Sequence, residues 1–293
     1  MKTTATAPSI LRIAYTPDSD DVYNFYAWEH GRVGLDTPGC GVEFHRDHIA
    51  ELNHAADNEA FDVVAVSSIA YPRLADRYWI LSTGNSIGRN FGPMLVSKRY
   101  RTKADLRGKR VGVAGTRTTG GVMARMFCPG AEFVEIAYDR IADAVVQGEC
   151  DAGVMIHEEI LFFPGKGLHG VCDLGKAWCQ DTGLPLPVGL NLVRKKMGME
   201  LARNVAGACH RSLRWAIDHT DEVAAFARKF GRGMAREHIQ MFSNEDTLRL
   251  PEDACRSLGV LFHRLAGIGL APSIESFQVV AEDGPTRWEV PTQ

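Results

Sequence analysis

Apolar and polar residues alternate with two different periods along the first part of the chain. Short apolar runs of strand-forming residues occupy 11–15, 42–45 and 62–66, and segments with helical spacing occupy 23–30 and 49–58. Strands that alternate with helices in this way are typical of βαβ units, in which helices cover both faces of a parallel sheet. The pattern therefore predicts an α/β fold that begins in the order β-α-β-α-β.

A second series of the same kind follows a polar linker at residues 98–108. Two extended segments, 79–82 and 93–98, come before this series. Its predicted elements are, in order, a strand at 110–114, a helix that begins near Thr118, a strand at 133–137, a helix at 139–147 and a strand at 152–156. The alternation predicts that a new α/β unit starts after the linker.

The last part of the chain is loop-rich at first and then mostly helical. Residues 162–187 contain three prolines and several glycines, which favour loops, and residues 189–194 are extended. Helical spacing follows at 201–219, 221–230, 235–242 and 251–268.

Two α/β units joined by two extended crossings predict two lobes with a small-molecule cleft between them. We place the crossings at 93–98 and 189–194. The larger lobe then takes residues 1–97 plus 190–293, and the smaller lobe takes residues 98–189.

Composition and charge exclude several classes of protein. The chain has 293 residues, 45% of them hydrophobic, and 33 Lys and Arg against 36 Asp and Glu. A disordered protein would be less apolar, and an electrostatic nucleic-acid binder would be basic. No apolar run approaches the roughly 20 residues that span a bilayer. Residues 1–8 lack the apolar core of a secretory signal, so we expect a cytoplasmic protein with neither nucleic acid nor membrane as partner.

The cysteines and histidines do not form a metal or cofactor motif. Seven cysteines without a C-x-x-C pair favour reduced thiols over a disulfide framework or zinc site. His45 lies on a predicted strand and His54 well along a helix, so these two and His48 need not converge on a metal. Neither a Walker loop nor a G-x-G-x-x-G fingerprint occurs. We therefore expect no metal and no cofactor.

Polar residues follow four of the predicted strands. Ligands in open α/β sheets lie beyond the carboxyl ends of the strands, so these residues are the candidates for a site. They are Thr16, Asp18, Asp20 and Asp21 after the first strand, Ser67 and Ser68 after the third, Thr118 and Thr119 in the Gly115–Gly121 segment, and His157 after the strand at 152–156.

The threonine pair and His157 each have two interpretations. Thr118, Thr119 and nearby backbone N–H groups could bind a carboxylate or phosphate, or they could simply cap the helix that follows. His157 has a side chain whose near-neutral pKa suits proton abstraction, although the local backbone could also satisfy it.

The three aspartates are open to a wider choice of roles. Asp18, Asp20 and Asp21 could bind a cation, accept hydrogen bonds from hydroxyl or ammonium groups, or cap the next helix.

The chain resembles a known family over roughly residues 11–271. It is similar to the menaquinone-biosynthesis enzymes that include 1,4-dihydroxy-6-naphthoate synthase of the futalosine pathway and, more distantly, chorismate dehydratase. The stretches that carry the resemblance are 27–33, 76–78, 88–93, 138–141, Gly-Val-Met-Ile-His-Glu at 153–158 and Thr-Gly-Leu-Pro-Leu-Pro-Val-Gly at 182–189.

The resemblance implies a fold, a reaction and a set of site residues. The fold is that of type II periplasmic binding proteins, which agrees with two lobes and a cleft. The reaction is the cleavage of cyclic dehypoxanthinyl futalosine by a carbon–carbon lyase without a cofactor. The family's base corresponds to His157, and its pocket corresponds to Thr118, Thr119 and the 16–21 loop.

Two departures from the family pattern leave the substrate open. The family loop Ser-Pro-Cys-Pro-Asn-Asp-Thr is Thr-Pro-Asp-Ser-Asp-Asp-Val at 16–22, and a family lysine is replaced by Ala65. Added carboxylates and a lost cation make the pocket less suited to an anionic substrate. The alternatives are a sister enzyme with another small substrate and a non-catalytic binding protein. The oligomeric state also stays open, and a homodimer is compatible with the sequence.

Overall fold

A computed structural model describes residues 10–229 and 235–292 of the chain and contains two β-sheets with helices packed around them. Its strands are β1 (Ile10–Tyr15), β2 (Gly41–Arg46), β3 (Val63–Ser67), β4 (Tyr78–Leu81), β5 (Ser86–Gly88), β6 (Met94–Ser97), β7 (Arg110–Val113), β8 (Glu132–Glu135), β9 (Ala152–Met155), β10 (His169–Asp173), β11 (Leu186–Arg194), β12 (Ser276–Ala281) and β13 (Gly284–Glu289). Its α-helices are α1 (Ser19–Glu29), α2 (Ile49–Asp57), α3 (Thr119–Phe127), α4 (Ile141–Gln147), α5 (Glu159–Phe162), α6 (Leu174–Thr182), α7 (Met199–Asp218), α8 (Thr220–Ala227), α9 (Ala235–Phe242), α10 (Glu245–Leu248) and α11 (Glu252–Gly267).

The larger sheet has the order β13-β12-β4-β11-β3-β1-β2, and β5 pairs with β11. Strands β1, β2 and β3 run parallel, as the first βαβ series predicts, whereas β11 runs antiparallel to β3 and β4. Every residue of β3 is buried, which explains its unbroken apolar sequence. The sheet is therefore mixed, and the chain that returns from the smaller sheet supplies the antiparallel strand at its centre.

The smaller sheet has the order β10-β6-β9-β7-β8. Strand β7 is parallel to β8 and β9, and β6 is antiparallel to both β9 and β10. The two sheets with their helices form the two lobes that the sequence predicts.

The crossings between the sheets lie slightly earlier than the sequence predicts. Strand β6 pairs within the smaller sheet, although the range 1–97 assigned it to the larger lobe. Strand β11 already pairs within the larger sheet from Leu186, inside the range 98–189. An extended segment has the same sequence character whichever sheet it joins, so only the hydrogen bonds reveal its partner. The chain thus changes sheets just before each of these two strands.

Helix α1 begins earlier than the sequence predicts and is unusually buried. Residues 19–28 are all buried, and the helix packs against α7, α8 and α9 on the side away from the sheet. Asp20 and Asp21 lie in its first turn, where acidic residues interact favourably with the helix dipole. The predicted loop at 16–21 is therefore a short turn followed by the start of a helix.

Two other predictions need correction. The segment 162–187 contains β10 and α6 and is not only loop, because Asp173 caps α6 and Gly183 ends it in the left-handed conformation. The hairpin of β12 and β13 after α11 was not predicted. The adjacent buried residues Val279 and Val280 interrupt the alternation in β12, and no residue of β13 is buried, so neither strand has a clear alternating pattern.

Some sequence-based expectations concern residues outside the described ranges. These are the lack of a signal segment at residues 1–8 and the end of the predicted helix at Phe230. Among the helices of residues 10–229 and 235–292, none combines the length and the apolar character needed to span a bilayer. All seven cysteines lie in these ranges, and their thiols are unpaired.

Candidate active site in the cleft between the sheets

The cleft lies where the carboxyl ends of strands from both sheets face each other. It encloses about 720 Å³, counting the space that is open to solvent. Much of its wall is apolar and comes from Ile49, Val66, Ile156, Leu190 and Phe242. An apolar wall with a few polar groups is typical of a small-molecule site.

His157 follows β9 on the smaller sheet and lines the cleft. Its backbone has φ = +54°, in the left-handed region that residues other than glycine rarely adopt. Such a conformation costs on the order of 1 kcal/mol or more and often marks a functional position. The turn directs the His157 side chain out of the strand and into the cleft.

The side chain of His157 contacts Asp18, which belongs to the opposite lobe. Its Nδ1 lies 2.8 Å from Oδ2 of Asp18, and both side chains are largely buried. The ring of Tyr138 meets the imidazole edge to face, with 5.4 Å between the ring centres. Asp18 directly precedes α1 and does not itself line the cleft. The structure therefore places Asp18 behind His157 and not in the substrate space.

The pKa of His157 is raised to about 9. Burial by itself would lower it, but the charge of Asp18, the hydrogen bond that His157 donates to Asp18 and the charges of Asp20 and Asp21 outweigh burial. The near-neutral pKa expected from the sequence is therefore wrong for the ligand-free protein. The imidazole is mostly protonated at neutral pH because three carboxylates converge on it.

Asp20 and Asp21 line the cleft, and each accepts hydrogen bonds from the protein. Oδ2 of Asp21 accepts from the backbone N and the Oγ1 of Thr16, at 3.0 and 2.7 Å. Oδ2 of Asp20 accepts from the hydroxyl of Ser86 at 3.0 Å. Burial and the charge of Asp20 raise the pKa of Asp21 to about 7, although the bonds from Thr16 oppose this. The aspartate cluster thus carries less negative charge at neutral pH than its composition suggests.

Thr118 and Thr119 line the cleft at the start of α3. Thr118 is the N-cap: its hydroxyl donates to the carbonyl of Gly115 and accepts from the backbone N of Gly121. The hydroxyl of Thr119 donates to the carbonyl of Val188 at 2.7 Å. The capping interpretation therefore holds for Thr118. Towards a ligand, each hydroxyl can serve only as an acceptor in this arrangement, because its hydrogen is already used.

The two predicted serines separate in the structure. Ser67 lines the cleft, and its backbone N and hydroxyl are bound by the side chain of Asn53. Ser68 begins a short 3₁₀ helix, is fully buried and is absent from the cleft wall. The chain turns between them, so that only the first serine faces the cleft.

Several residues of the site were not predicted, including Ser86, Tyr138 and Phe242. Ser86 lies on β5 and binds Asp20, Tyr138 packs on His157, and Phe242 at the end of α9 forms part of the wall. Ser86 follows the end of β4 by a few residues, so the strand-end rule could have found it. Tyr138 and Phe242 reach the site only through the packing of distant segments, for which the local sequence contains no signal.

The charges on the described wall are unevenly distributed. Neither lysine nor arginine is among the described residues that line the cleft, and Ala65 is one of those residues. Protonated His157 is therefore the cationic side chain available to a ligand in this part of the wall.

The three histidines considered as metal ligands have separate neighbours. His45 lies against Glu43 and Phe61, His48 faces the ring of Tyr138, and His54 contacts Asn58. Their side chains do not converge, because β2 and α2 direct them to different surfaces.

Comparison with known proteins identifies a family and a fold. The family model described as menaquinone biosynthesis matches residues 11–267. A 1,4-dihydroxy-6-naphthoate synthase of Thermus thermophilus is 35% identical over 265 residues, which cover 89% of this chain and 96% of the relative.

Solved structures agree with this result. Protein AF1704 of Archaeoglobus fulgidus is 35% identical, covers 89% of this chain and 98% of its own, and has a TM-score of 0.84. The alkanesulfonate-binding protein SsuA of Xanthomonas axonopodis pv. citri has a TM-score of 0.69 at 14% identity, with 92% of this chain and 96% of its own covered. This second likeness concerns the fold alone and confirms the two-lobed architecture of periplasmic binding proteins.

Proposed function

The chain belongs to the menaquinone-biosynthesis family, and on that premise we propose that it is a 1,4-dihydroxy-6-naphthoate synthase. The proposed reaction is the cofactor-independent cleavage of cyclic dehypoxanthinyl futalosine, a lyase reaction. Removal of a proton opens the sugar-derived ring and releases the aromatic dihydroxynaphthoate.

The shape and chemistry of the cleft support this substrate. Its apolar wall suits a fused aromatic ring, and Ser67, Thr118 and Thr119 offer polar atoms for hydroxyl groups. A carboxylate of the substrate could accept from backbone N–H groups in the first turn of α3, where helical carbonyl partners are lacking.

The position of His157 is the observation that supports its proposed role as the base. It lies on the cleft wall, in a left-handed backbone conformation and in contact with a carboxylate. A positioned histidine typically contributes about 10²- to 10⁴-fold to a rate by general acid–base catalysis. In the proposed reaction, neutral His157 takes the substrate proton and becomes imidazolium, which Asp18 stabilises by its charge.

The test is to incubate the purified protein with cyclic dehypoxanthinyl futalosine and to follow dihydroxynaphthoate by chromatography and mass spectrometry. The T. thermophilus synthase, assayed in parallel, is the positive control. We expect product from the wild type, and for His157→Gln a loss of about 10²-fold or more in kcat with ligand binding retained. The proposal is wrong if the relative is active and this protein yields no product.

A second candidate is a sister enzyme that uses the same cleft for another small molecule. Asp20 and Asp21 on the wall, together with the absence of Lys and Arg from its described part, favour a substrate with hydroxyl or ammonium groups over a strongly anionic one. Ala65 is the position to test, because it lies on the wall where the family has a lysine.

Product formation by the wild type separates the two candidates, and the variant Ala65→Lys tests the effect of a cation on the wall. If the natural substrate is the anionic futalosine derivative, the added cation should leave KM for it unchanged or lower. If the natural substrate is cationic, the wild type should make no naphthoate, and Ala65→Lys should raise the affinity for dihydroxynaphthoate measured by calorimetry. Ala50→Lys, at a residue of α2 outside the cleft wall, is the control for the charge alone.

A further inference from the structure

We propose that Asp18 is a positioning residue for His157: its carboxylate holds the hydrogen on Nδ1 and so leaves Nε2 as the atom that takes the substrate proton. This inference rests on the proposed function, because it names the group that orients the base. It also changes the role expected of Asp18 from the sequence, which was direct contact with the substrate.

The distance between the two side chains supports this assignment. An ionised carboxylate only accepts hydrogen bonds, so Nδ1 of His157 must donate at the observed 2.8 Å. In a neutral imidazole one nitrogen carries the hydrogen and the other carries the lone pair. With Nδ1 engaged by Asp18, the lone pair lies on Nε2.

The position of the pair relative to the cleft indicates where Nε2 of His157 points. His157 lines the cleft, whereas Asp18 does not. The nitrogen opposite Asp18 is therefore the one that a substrate can reach. Nδ1 is occupied by Asp18, whose backbone is held at the start of α1 because Val22 N donates to the Asp18 carbonyl at 2.9 Å.

Rigid backbone holds both partners. Asp18 lies between β1 and α1, and His157 occupies a left-handed turn at the end of β9. Asp18 therefore belongs to the lobe of the larger sheet and His157 to that of the smaller sheet. The base is oriented by the opposite lobe, so its alignment depends on the arrangement in which the lobes meet.

Several charged or titratable groups face the imidazole. Asp18 makes the direct bond, Asp20 and Asp21 act on it through their charges, and the ring of Tyr138 packs on its edge. Glu158 is its neighbour in the chain. Loss of Asp18 should change both the tautomer and the pKa of His157, whereas loss of Asp20 should change the pKa alone.

Nuclear magnetic resonance of ligand-free protein with ¹⁵N-labelled histidine tests the pair without any substrate. The signal that disappears in His157→Gln identifies the residue. We expect a strongly downfield Nδ1 proton in the wild type and in Asp20→Asn, and its loss in Asp18→Asn. The pKa of His157 should fall by about 1 unit or more in Asp18→Asn and by less in Asp20→Asn.

Kinetics with cyclic dehypoxanthinyl futalosine then test the role in turnover. On the pH-independent plateau above pH 9, where His157 is neutral in both proteins, Asp18→Asn should lower kcat by about 10²-fold and change KM by less than about 3-fold. Asp18→Glu keeps the carboxylate but moves it by one methylene group. In this variant the pKa of His157 should stay closer to its wild-type value than kcat does. Asp62→Asn removes a buried carboxylate that binds Arg12 N far from the cleft, and it should leave kcat within about 2-fold. Thermal melts of all variants establish that they are folded.

The outcomes separate the two proposals. No product from the wild type overturns the proposed function, and the resonance data still decide whether the pair exists. An unchanged Nδ1 proton and pKa in Asp18→Asn overturn the pair. A shifted resonance with unchanged kcat, in an active wild type, overturns the positioning role.

Discussion

At the scale of single residues, His157 combines one feature that is visible in the sequence with two that are not. Its place after an apolar strand suggests a site residue, because strand ends face ligands in α/β sheets. Its left-handed backbone has no signal in the sequence, and its contact with Asp18 joins residues more than a hundred positions apart. These contacts raise the pKa of His157 and so change how the side chain can act.

The raised pKa predicts the pH dependence of catalysis. A base must be neutral in order to take a proton, and with a pKa of about 9 only about 1% of His157 is neutral at pH 7. We therefore expect kcat/KM of the wild type to rise about tenfold per pH unit from pH 7 and to level off near pH 9.

Stopped assays at constant ionic strength between pH 6 and 10 measure this profile. The residual activity of His157→Gln is the control, and it should lack the rising limb. A wild-type profile that is flat from pH 7 to 9 would contradict the assignment of His157 as the base.

At the scale of elements, the start of α3 connects the two sides of the cleft. Thr118 caps the helix, and Thr119 donates to the carbonyl of Val188 in β11. Gly121 allows this arrangement, because a Cβ on it would lie far inside van der Waals contact with the carbonyl oxygen of Gly115. That carbonyl already accepts from the backbone N and hydroxyl of Thr118, so it has little freedom to move.

The variant Gly121→Ala should therefore destabilise the protein. Alanine is favoured over glycine in a helix by about 1 kcal/mol, but the clash with a fixed backbone atom is expected to outweigh this gain. We expect the free energy of unfolding to fall by about 1–3 kcal/mol and KM to rise, since the cleft-facing turn is displaced. Urea unfolding and steady-state kinetics measure the two effects.

The matched control is Gly267→Ala near the end of α11, where an added Cβ meets nothing within 4 Å. This variant should keep or slightly increase the free energy of unfolding, by at most about 1 kcal/mol. If Gly121→Ala behaves like Gly267→Ala, the tight start of α3 is not a constraint on the fold.

At the scale of the whole molecule, the Asp18–His157 pair joins the two lobes. Each partner follows a strand of a different sheet, so the ion pair forms only in the folded chain. This contact therefore contributes to the free energy of folding and to the free energy with which the two lobes associate. The pH dependence of stability is its measurable consequence.

We expect the ligand-free protein to become less stable as the pH rises from 6.5 to about 9. The pKa of His157 is 6.5 in the unfolded chain and about 9 in the folded protein, so the folded state binds more protons in this window. Stability from the pair is complete below pH 6.5 and is lost as the pH passes 9, by about 1–3 kcal/mol. Asp21, whose pKa is raised to about 7, acts in the same direction at lower pH.

Urea unfolding at several pH values measures this loss. His157→Gln controls for buried thiols and other groups that titrate in the same range, and its curve should be flatter than that of the wild type between pH 6.5 and 9. Parallel curves for the two proteins would show that His157 does not couple stability to pH.

The sequence by itself determined the fold class and the family, and it singled out several polar residues that line the cleft. Apolar runs such as the one in β3 are local properties of burial, and they can be identified without knowledge of their partners. The same holds for polar residues at strand ends, which is how His157, Thr118 and Ser67 were found. Local patterns are sufficient where the period of a helix or strand determines which of its residues are buried.

Only the tertiary structure decided how these residues work together. It places Asp18 behind His157, turns Ser68 away from the cleft and brings Ser86 and Tyr138 into the site. It also assigns β6 and β11 to their sheets. Hydrogen bonds and charge interactions depend on distances across the fold, and these arise from the packing of segments far apart in the chain. For this reason the sequence predicts a histidine at the cleft, whereas its pKa and its partner follow from the three-dimensional arrangement.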